Sequence, residues 1–257
     1  MSRAFIIEED NLSVAWAKAF IRVVDAGEIA PFTVVIRGFV DGKPKEVAFI
    51  RQLIDDALGA EERPLSCHKV ANTIFPTSLW NPRAKRQQLY ERYLRIMPRV
   101  LRDRRNSYGV YFQRLIAFGH HRAQGDGFNQ LEHIISIWNG GNRRRTAFQA
   151  AIFDPEKDHT NQTRRGFPCL QHVIFAQQGD EGLSVTGFYA TQYIFERAYG
   201  NYLGLCRLGH FMAQEMGRRL TQVSCVASPA KRERTKKSMM DLVRKLEKML
   251  NQTWEGQ

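Results

Sequence analysis

Cys169 is the residue of this sequence best placed to act as a nucleophile. It follows Phe167-Pro168 and precedes an apolar run that predicts a strand over 170–177. A thiol attacks carbon only as the thiolate, and neighbouring guanidinium groups lower the pKa of a cysteine towards neutrality. Arg144-Arg145 or Arg164-Arg165 could supply that charge. Taken alone, a free cysteine is also a small hydrophobe that packs readily in a core.

The net charge indicates an anionic partner. The chain has 38 Lys and Arg against 26 Asp and Glu, a formal charge of +12 at pH 7. Because guanidinium groups bind phosphate bidentately, we expect contacts with the phosphate of a nucleotide or a nucleic acid. Solvated surface is the alternative for each cluster. The basic clusters are 102–105, 143–145, 164–165 and 231–237.

The four cysteines do not form a metal or disulfide pattern. Cys67, Cys169, Cys206 and Cys225 contain no C-x-x-C spacing, so the sequence predicts neither a metal site nor a disulfide framework. The N-terminal residues do not resemble a signal peptide, and no apolar run approaches the roughly 20 residues needed to span a bilayer. We therefore expect a cytoplasmic protein without membrane contact.

Helices and strands are mixed along the chain without strict alternation, which predicts an α+β fold. Residues 61–83 contain three prolines and are expected to be irregular, and Pro98 should kink or split a helix over 84–105. Helical and alternating apolar patterns identify the remaining elements. The predicted helices are 12–25, 45–58, 84–105, 129–138, 196–216 and 229–252, and the predicted strands are 32–39, 146–153, 170–177, 183–191 and 220–227.

No linker divides the 257 residues, a length that one hydrophobic core can support. We therefore predict a single domain, 1–257. It consists of an N-terminal part over 1–105, a core over 106–228 and a basic C-terminal helix over 229–257. The helix over 196–216, rich in Tyr, Leu and Met, is expected to form the centre of the fold.

The order of residues between 106 and 217 resembles thymidylate synthases and their pyrimidine hydroxymethylase relatives. The resemblance implies a mixed sheet packed with helices, one long core helix and a homodimer, and the N-terminal part over 1–105 is divergent. The matching positions are Asn129-Gln130-Leu131, Arg144-Arg145, Pro168-Cys169, Leu183-Ser184, Asn201, Ala213 and Gly217, with traces at His68-Lys69 and Leu79-Trp80.

The resemblance also implies covalent catalysis on a pyrimidine. The Cys169 thiolate would add to C6, so that C5 becomes nucleophilic and takes a one-carbon unit from a reduced folate. Asn201 would read the pyrimidine edge, because an amide presents a donor and an acceptor together. Arg144 and Arg145 match two arginines of the family. In the family these arginines reach the substrate phosphate from the partner subunit. The resemblance adds Thr191, which keeps a hydroxyl, and Trp80 as further substrate contacts.

Several positions depart from the family pattern and leave two hypotheses open. Ala190 replaces the main phosphate-binding arginine, Thr77 the carboxylate of the proton relay, and Leu170 the histidine after the cysteine. Residues 228–230 replace the ribose-binding His-x-Tyr. The first hypothesis is an enzyme that transfers a one-carbon unit to C5 of a pyrimidine nucleotide or base. The second is a non-catalytic nucleotide- or nucleic-acid-binding protein of the same fold.

Overall fold

The computed structural model describes residues 4–62, 64–120, 127–161 and 167–254, with residues 252–254 described by their backbone alone. Its helices and strands pack together around a mixed sheet, so the predicted α+β class is confirmed. No helix in these ranges combines the length and apolar character needed to cross a membrane.

The elements in the described residues are numbered in chain order. The strands are β1 (Phe5–Glu9), β2 (Glu28–Ile29), β3 (Phe32–Ile36), β4 (Phe39–Val40), β5 (Lys43–Pro44), β6 (Gln149–Ala151), β7 (Leu170–Gln178), β8 (Gly182–Tyr189), β9 (Gln192–Tyr193), β10 (Arg219–Ala227) and β11 (Ala230–Lys231). The helices are α1 (Leu12–Ala26), α2 (Ala48–Gly59), α3 (Cys67–Ile74), α4 (Gln87–Leu101), α5 (Tyr111–Ile116), α6 (Gln130–Asn139), α7 (Pro155–Asp158), α8 (Ala198–Glu215) and α9 (Lys236–Trp254).

Six strands form the main sheet in the order β1-β3-β10-β8-β7-β6. The pairs β1–β3 and β10–β8 are parallel, and the other neighbours are antiparallel. β10, late in the sequence, lies between β3 of the N-terminal part and β8 of the core. The two parts of the chain therefore share one sheet.

Helix α8 is the long core helix that the sequence predicts. It is buried on most of its circumference, as expected for a helix that is apolar nearly all round. One side packs on β8 and β10, and the other on α3. The approach to α3 is close because Gly200 and Gly204 have no side chain. A Cβ on Gly200 would lie 2.4 Å from the Cβ of Val70.

The main sheet has one covered face and one more open face. Along β8, Leu183 and Val185 point into the core under α8, whereas Thr186 and Phe188 point to the opposite side. Phe188 is 37% exposed. The open face carries neutral side chains over β7, β8 and β10, namely His172, Ile174, Thr186, Phe188, Ser224 and Val226.

The prediction of an irregular segment over 61–83 is wrong. Residues 67–74 form α3, and the Ser66 hydroxyl accepts a hydrogen bond from the Lys69 backbone N–H at 3.2 Å to cap its start. Pro64 and Pro76 lie outside this helix and do not interrupt it. A short helix of this kind is hidden in the sequence by the prolines on either side.

Two further boundaries differ from the prediction. Pro98 lies inside α4 near its C-terminal end, and the helix continues to Leu101. The basic C-terminal helix begins at Lys236 instead of residue 229. Ala230 and Lys231 form β11, where pairing with β2 and β9 satisfies the backbone in an extended conformation.

Candidate functional site

Cys169 lies on the wall of a cavity of about 420 Å³. Five stretches of the chain meet there: α3, residues 104–111, the approach to β7, residues 191–197 and the first turn of α8. Among the predicted site residues, Cys169, Thr191 and Asn201 all line this cavity. Residues far apart in sequence are thus brought together around the thiol.

The pairing of β7 with β8 fixes the position of Cys169. The residue comes directly before β7, and its carbonyl accepts a hydrogen bond from the Ala190 backbone N–H at 2.9 Å. Its side chain is partly exposed, whereas Cys67, Cys206 and Cys225 are buried. In the described residues Cys169 is therefore the cysteine most accessible to a ligand.

Opposing effects act on the Cys169 thiol. Burial raises the pKa of Cys169 above its ordinary value, and this is the largest effect. The positive charges of Arg197 and Lys231 and a hydrogen bond from the Tyr111 hydroxyl act in the other direction, because each stabilises the thiolate. The net shift is upward, so the ligand-free protein holds a mostly protonated thiol at neutral pH.

Tyr111 is a site residue that the sequence analysis missed. It begins α5, its ring stacks on Phe167 with centroids 5.2 Å apart, and burial raises the pKa of its hydroxyl. The hydroxyl stays protonated at neutral pH and can donate to the Cys169 sulfur. A tyrosine between apolar residues is typical of a core, and the sequence around it gives no other signal.

Arg197 and Asn201 lie one helical turn apart at the start of α8. Both line the cavity, and Asn201 is only 3% exposed. The Asn201 side-chain amide makes no hydrogen bond to the residues described, so its donor and acceptor are available to a ligand. Arg197 is not recognisable as a site residue from the sequence, because an arginine beside Glu196 at a helix start is typical of a solvated pair.

Thr191 supplies a further polar group to the cavity. Its hydroxyl oxygen is buried and has no hydrogen-bond partner in the described part of the chain. Buried hydroxyls are normally paired, because leaving one unpaired costs about 1–3 kcal/mol. The unpaired hydroxyl on the cavity wall is a position for a ligand atom or a bound water.

Glu233 holds the segment that leads to Arg197. Its carboxylate accepts hydrogen bonds from the backbone N–H groups of Phe195 at 3.0 Å and Glu196 at 2.6 Å. Burial raises the pKa of Glu233 to about 7. The Arg197 end of α8 is therefore positioned by a carboxyl group that titrates near neutral pH.

The remaining predicted residues lie away from the cavity. Arg144 is exposed and donates to the Thr146 hydroxyl at 2.8 Å, and Arg145 lines a separate depression with Trp138. Trp80 packs edge-on against Phe75, His210 and Phe211 and does not line the Cys169 cavity. Arg164 and Arg165 lie outside the described residues.

No group of three or more His, Cys, Asp and Glu side chains within the described ranges is arranged to hold a metal ion. No protein-family model matches the chain, and no curated protein matches it either. The resemblance to thymidylate synthases therefore depends on the order of residues along the sequence.

Proposed function

We propose that the protein binds a pyrimidine in the Cys169 cavity and modifies its C5 through a temporary bond to the Cys169 sulfur. The class of activity is a pyrimidine C5 methyl- or hydroxymethyltransferase. The observation that supports this most directly is the convergence of Cys169, Tyr111 and Asn201 on one cavity. A nucleophile, a hydroxyl that donates a hydrogen bond to it and an unpaired amide are groups that such a reaction can use.

In this proposal the thiolate sulfur attacks C6 of the ring. The S–C6 bond forms as the C5=C6 π bond opens, and the electron pair is delocalised over C5 and O4. C5 would then bond to the one-carbon unit that the folate carries. Water would take the C5 proton, since no carboxylate lines the described cavity, and the bond from the one-carbon unit to the folate nitrogen would break with its electron pair on nitrogen. Addition of water to the resulting methylene would give the hydroxymethyl group, and addition of a hydride from the folate would give the methyl group. In either case the sulfur leaves C6 with the electron pair of the S–C6 bond, the C5=C6 double bond is restored and Cys169 is released as a thiolate.

The cavity side chains have separate roles in this reaction. Arg197, Lys231 and Tyr111 stabilise the thiolate that burial disfavours. Asn201 orients the pyrimidine, since its amide pairs with the donor and acceptor of the ring edge. The unpaired Thr191 hydroxyl completes the polar contacts with the substrate.

The one-carbon donor in this proposal is a reduced folate, and the described residues fit it only in part. Phe167 stacked on Tyr111 offers an aromatic wall beside the cavity. No carboxylate lines the described cavity to accept hydrogen bonds from the N–H groups of a pterin. The folate would supply the one-carbon unit, and the addition of Cys169 to the pyrimidine does not depend on it.

A homodimer is part of the proposal. The open, neutral face of the main sheet, with Phe188 at its centre, is suited to pairing with the same face of a second copy. Arg144 and Arg145, exposed near the β6 edge, would then contact the substrate phosphate of the partner's site. Within one chain Arg144 and Arg145 do not line the Cys169 cavity, and the dimer would bring them to the cavity of the partner.

The raised pKa of Cys169 favours a second candidate function, a non-catalytic protein that binds the pyrimidine of a nucleotide or nucleic acid. A thiol that stays protonated at neutral pH can form part of a binding pocket without adding to its ligand. Thr77 replaces the carboxylate of the family's proton relay, and this replacement also favours the non-catalytic function.

Intact-protein mass spectrometry distinguishes the two functions. The protein is incubated with 5-fluoro-2′-deoxyuridylate and, separately, with the 5-fluorocytosine nucleotide, each with and without a reduced folate. Fluorine at C5 is not lost as a proton is, so an adduct that includes the one-carbon unit persists. We expect a mass increase in the wild type that Cys169→Ser abolishes.

Cys206→Ser serves as the matched control, because that thiol is buried in α8 and outside the cavity. This variant should form the adduct as the wild type does. Binding of the nucleotides without any mass increase would instead establish the non-catalytic function.

A further inference from the structure

A row of cations leads from the Cys169 cavity to a second depression. Arg104, Arg105 and Arg197 line the cavity around Cys169, and Arg104 and Arg105 also line a neighbouring depression of about 860 Å³ together with Lys69. We call Lys69, Arg104, Arg105 and Arg197 the basic channel. It extends well beyond the space around the Cys169 sulfur.

Most of the charge in the basic channel is not neutralised by the protein. Within the described residues, Lys69, Arg104 and Arg197 form no ion pair with a carboxylate. Asp103 is the one carboxylate on the described lining of the two depressions, and it pairs with Arg105 at 2.7 Å. That contact lowers the pKa of Asp103 to about 2, so Asp103 is ionised and offsets one of the four cations. Arg105 and Arg197 also line a third depression with Glu61, Glu62 and Glu196, where Arg234 pairs with Glu61 and Glu196.

Two exposed tyrosines lie on the same lining. Tyr108 is 41% exposed and Tyr193 is 36% exposed, and both line the Cys169 cavity. The ammonium group of Lys231 lies 5.4 Å from the centre of the Tyr193 ring. Exposed aromatic rings beside cations are the combination with which proteins bind single-stranded nucleic acids, because bases stack on the rings and phosphates pair with the cations.

We infer that the pyrimidine enters the Cys169 cavity as part of a single-stranded polynucleotide. The cations of the basic channel bind successive phosphates of the strand, and Tyr108 and Tyr193 stack on the bases next to the target. A mononucleotide would occupy the cavity and leave Lys69 and the second depression without a ligand. This inference rests on the proposed function, since it identifies the molecule that presents the pyrimidine to Cys169.

Fluorescence anisotropy measures the strand contacts directly. The probes are labelled oligothymidylate and oligouridylate of about 12 nucleotides, a length within the usual site size of such proteins. We expect the Lys69→Ala/Arg104→Ala variant to bind at least tenfold more weakly than the wild type. The dependence of its log Kd on log salt should also be shallower by about 1.4, as for two lost phosphate contacts on a single strand.

Arg37→Ala/Arg219→Ala is the matched control, because it removes two exposed arginines that lie outside both depressions. It should bind the strand as the wild type does. Tyr108→Ala should weaken binding and Tyr108→Phe should restore it, because stacking needs the ring and not the hydroxyl. Equal loss of affinity in the two double variants, or equal competition by duplex and single strand, would overturn the inference.

The covalent assay is then repeated with an oligonucleotide that carries one 5-fluorouracil. We expect this strand to form the Cys169 adduct faster than 5-fluoro-2′-deoxyuridylate does, and Lys69→Ala/Arg104→Ala to remove the difference. A faster adduct with the mononucleotide would refute the strand as substrate and leave the proposed function intact. Tight strand binding that needs the basic channel, with no adduct on any substrate, would refute covalent catalysis and support the strand as ligand.

Discussion

The chemistry of Cys169 depends on a balance between burial and three neighbouring groups. Burial raises the pKa of the thiol, and Arg197, Lys231 and Tyr111 oppose that increase without cancelling it. The sulfur is therefore less ionised in the ligand-free protein than an exposed cysteine would be. At neutral pH such a thiol reacts slowly with electrophiles in solution. It reacts faster when the thiolate is stabilised.

Alkylation of Cys169 by iodoacetamide tests this balance. The alkylation rate follows the thiolate fraction, so it should rise with pH to a midpoint above that of an exposed cysteine. Tyr111→Phe removes a hydrogen bond to the thiolate and Arg197→Gln removes a positive charge, and each should move the midpoint to higher pH. Below the midpoint we expect alkylation about tenfold slower in each variant.

The comparison needs two controls. Cys169→Ser gives the background from the three buried cysteines, and Arg219→Gln removes an exposed charge far from the cavity. The second variant should leave the pH profile unchanged. A wild-type midpoint near neutrality, or profiles unaffected by Tyr111→Phe and Arg197→Gln, would contradict the balance described here.

The cavity position of Cys169 could be predicted from the sequence, but its immediate surroundings could not. Cys169 and Asn201 were predicted from their order along the chain, and both line the cavity. Tyr111 and Arg197 were not predicted, because a tyrosine among apolar residues and an arginine at a helix start each have an ordinary structural use. Their functional position arises from tertiary contacts that no local pattern encodes.

The geometry of the site depends on how closely α3 and α8 pack. Gly200 lies against Val70 and the Cys67 carbonyl, and its neighbour Asn201 lines the cavity with Val70. The absence of a side chain at position 200 sets the distance between the two helices. Any increase in that distance moves both the wall of the cavity and the amide of Asn201.

Gly200→Ala should therefore destabilise the protein, although alanine is the better helix former. Its Cβ would lie 2.4 Å from the Val70 Cβ and 2.8 Å from the Cys67 carbonyl oxygen, and both helices would have to move. We expect a loss of about 2–3 kcal/mol in the free energy of unfolding, measured by urea denaturation.

Gly59→Ala is the matched control for this change. No atom lies within 4 Å of a Cβ at Gly59, which ends α2, so the substitution should be neutral or slightly stabilising. Equal stability of the Gly200→Ala and Gly59→Ala proteins would show that α3 and α8 are not in tight contact.

The long, strongly patterned elements were predictable and the short ones were not. Helix α1 and strand β8 follow from helical and alternating apolar spacing, and the Asn11 side chain caps the start of α1. Helix α3 was missed because it has eight residues between prolines, and β1 because its single buried residue, Ile7, leaves no alternating pattern. Short elements are selected by tertiary packing more than by their own sequence.

The open face of the main sheet is the surface through which we propose that two copies of the protein pair. Phe188 lies beside Val226 of β10 on that face, in a protein whose surface is otherwise strongly basic. Neutral, partly apolar sheet faces exclude water well when they pair, and symmetric pairing places the same patch on both sides.

Phe188→Arg should convert the proposed dimer into a monomer. Two guanidinium groups would be brought together across the symmetry axis, and pairing them in an apolar contact costs more than the face contributes. Sedimentation velocity measures the change, and Phe49→Arg, which alters a more exposed phenylalanine on α2 and outside the main sheet, should leave the dimer intact. If the wild-type protein sediments as a monomer, the proposal that Arg144 and Arg145 contact the substrate phosphate in a partner's site is wrong.

The position of β10 in the sheet also bears on how the chain folds during synthesis. The strand pairs with β3 on one side and β8 on the other, yet it is translated after both. Until residues 219–227 leave the ribosome, β3 and β8 each present an uncovered edge that other chains can pair with. We therefore expect the chain to be more prone to aggregation before residues 219–227 are translated than after the sheet is complete.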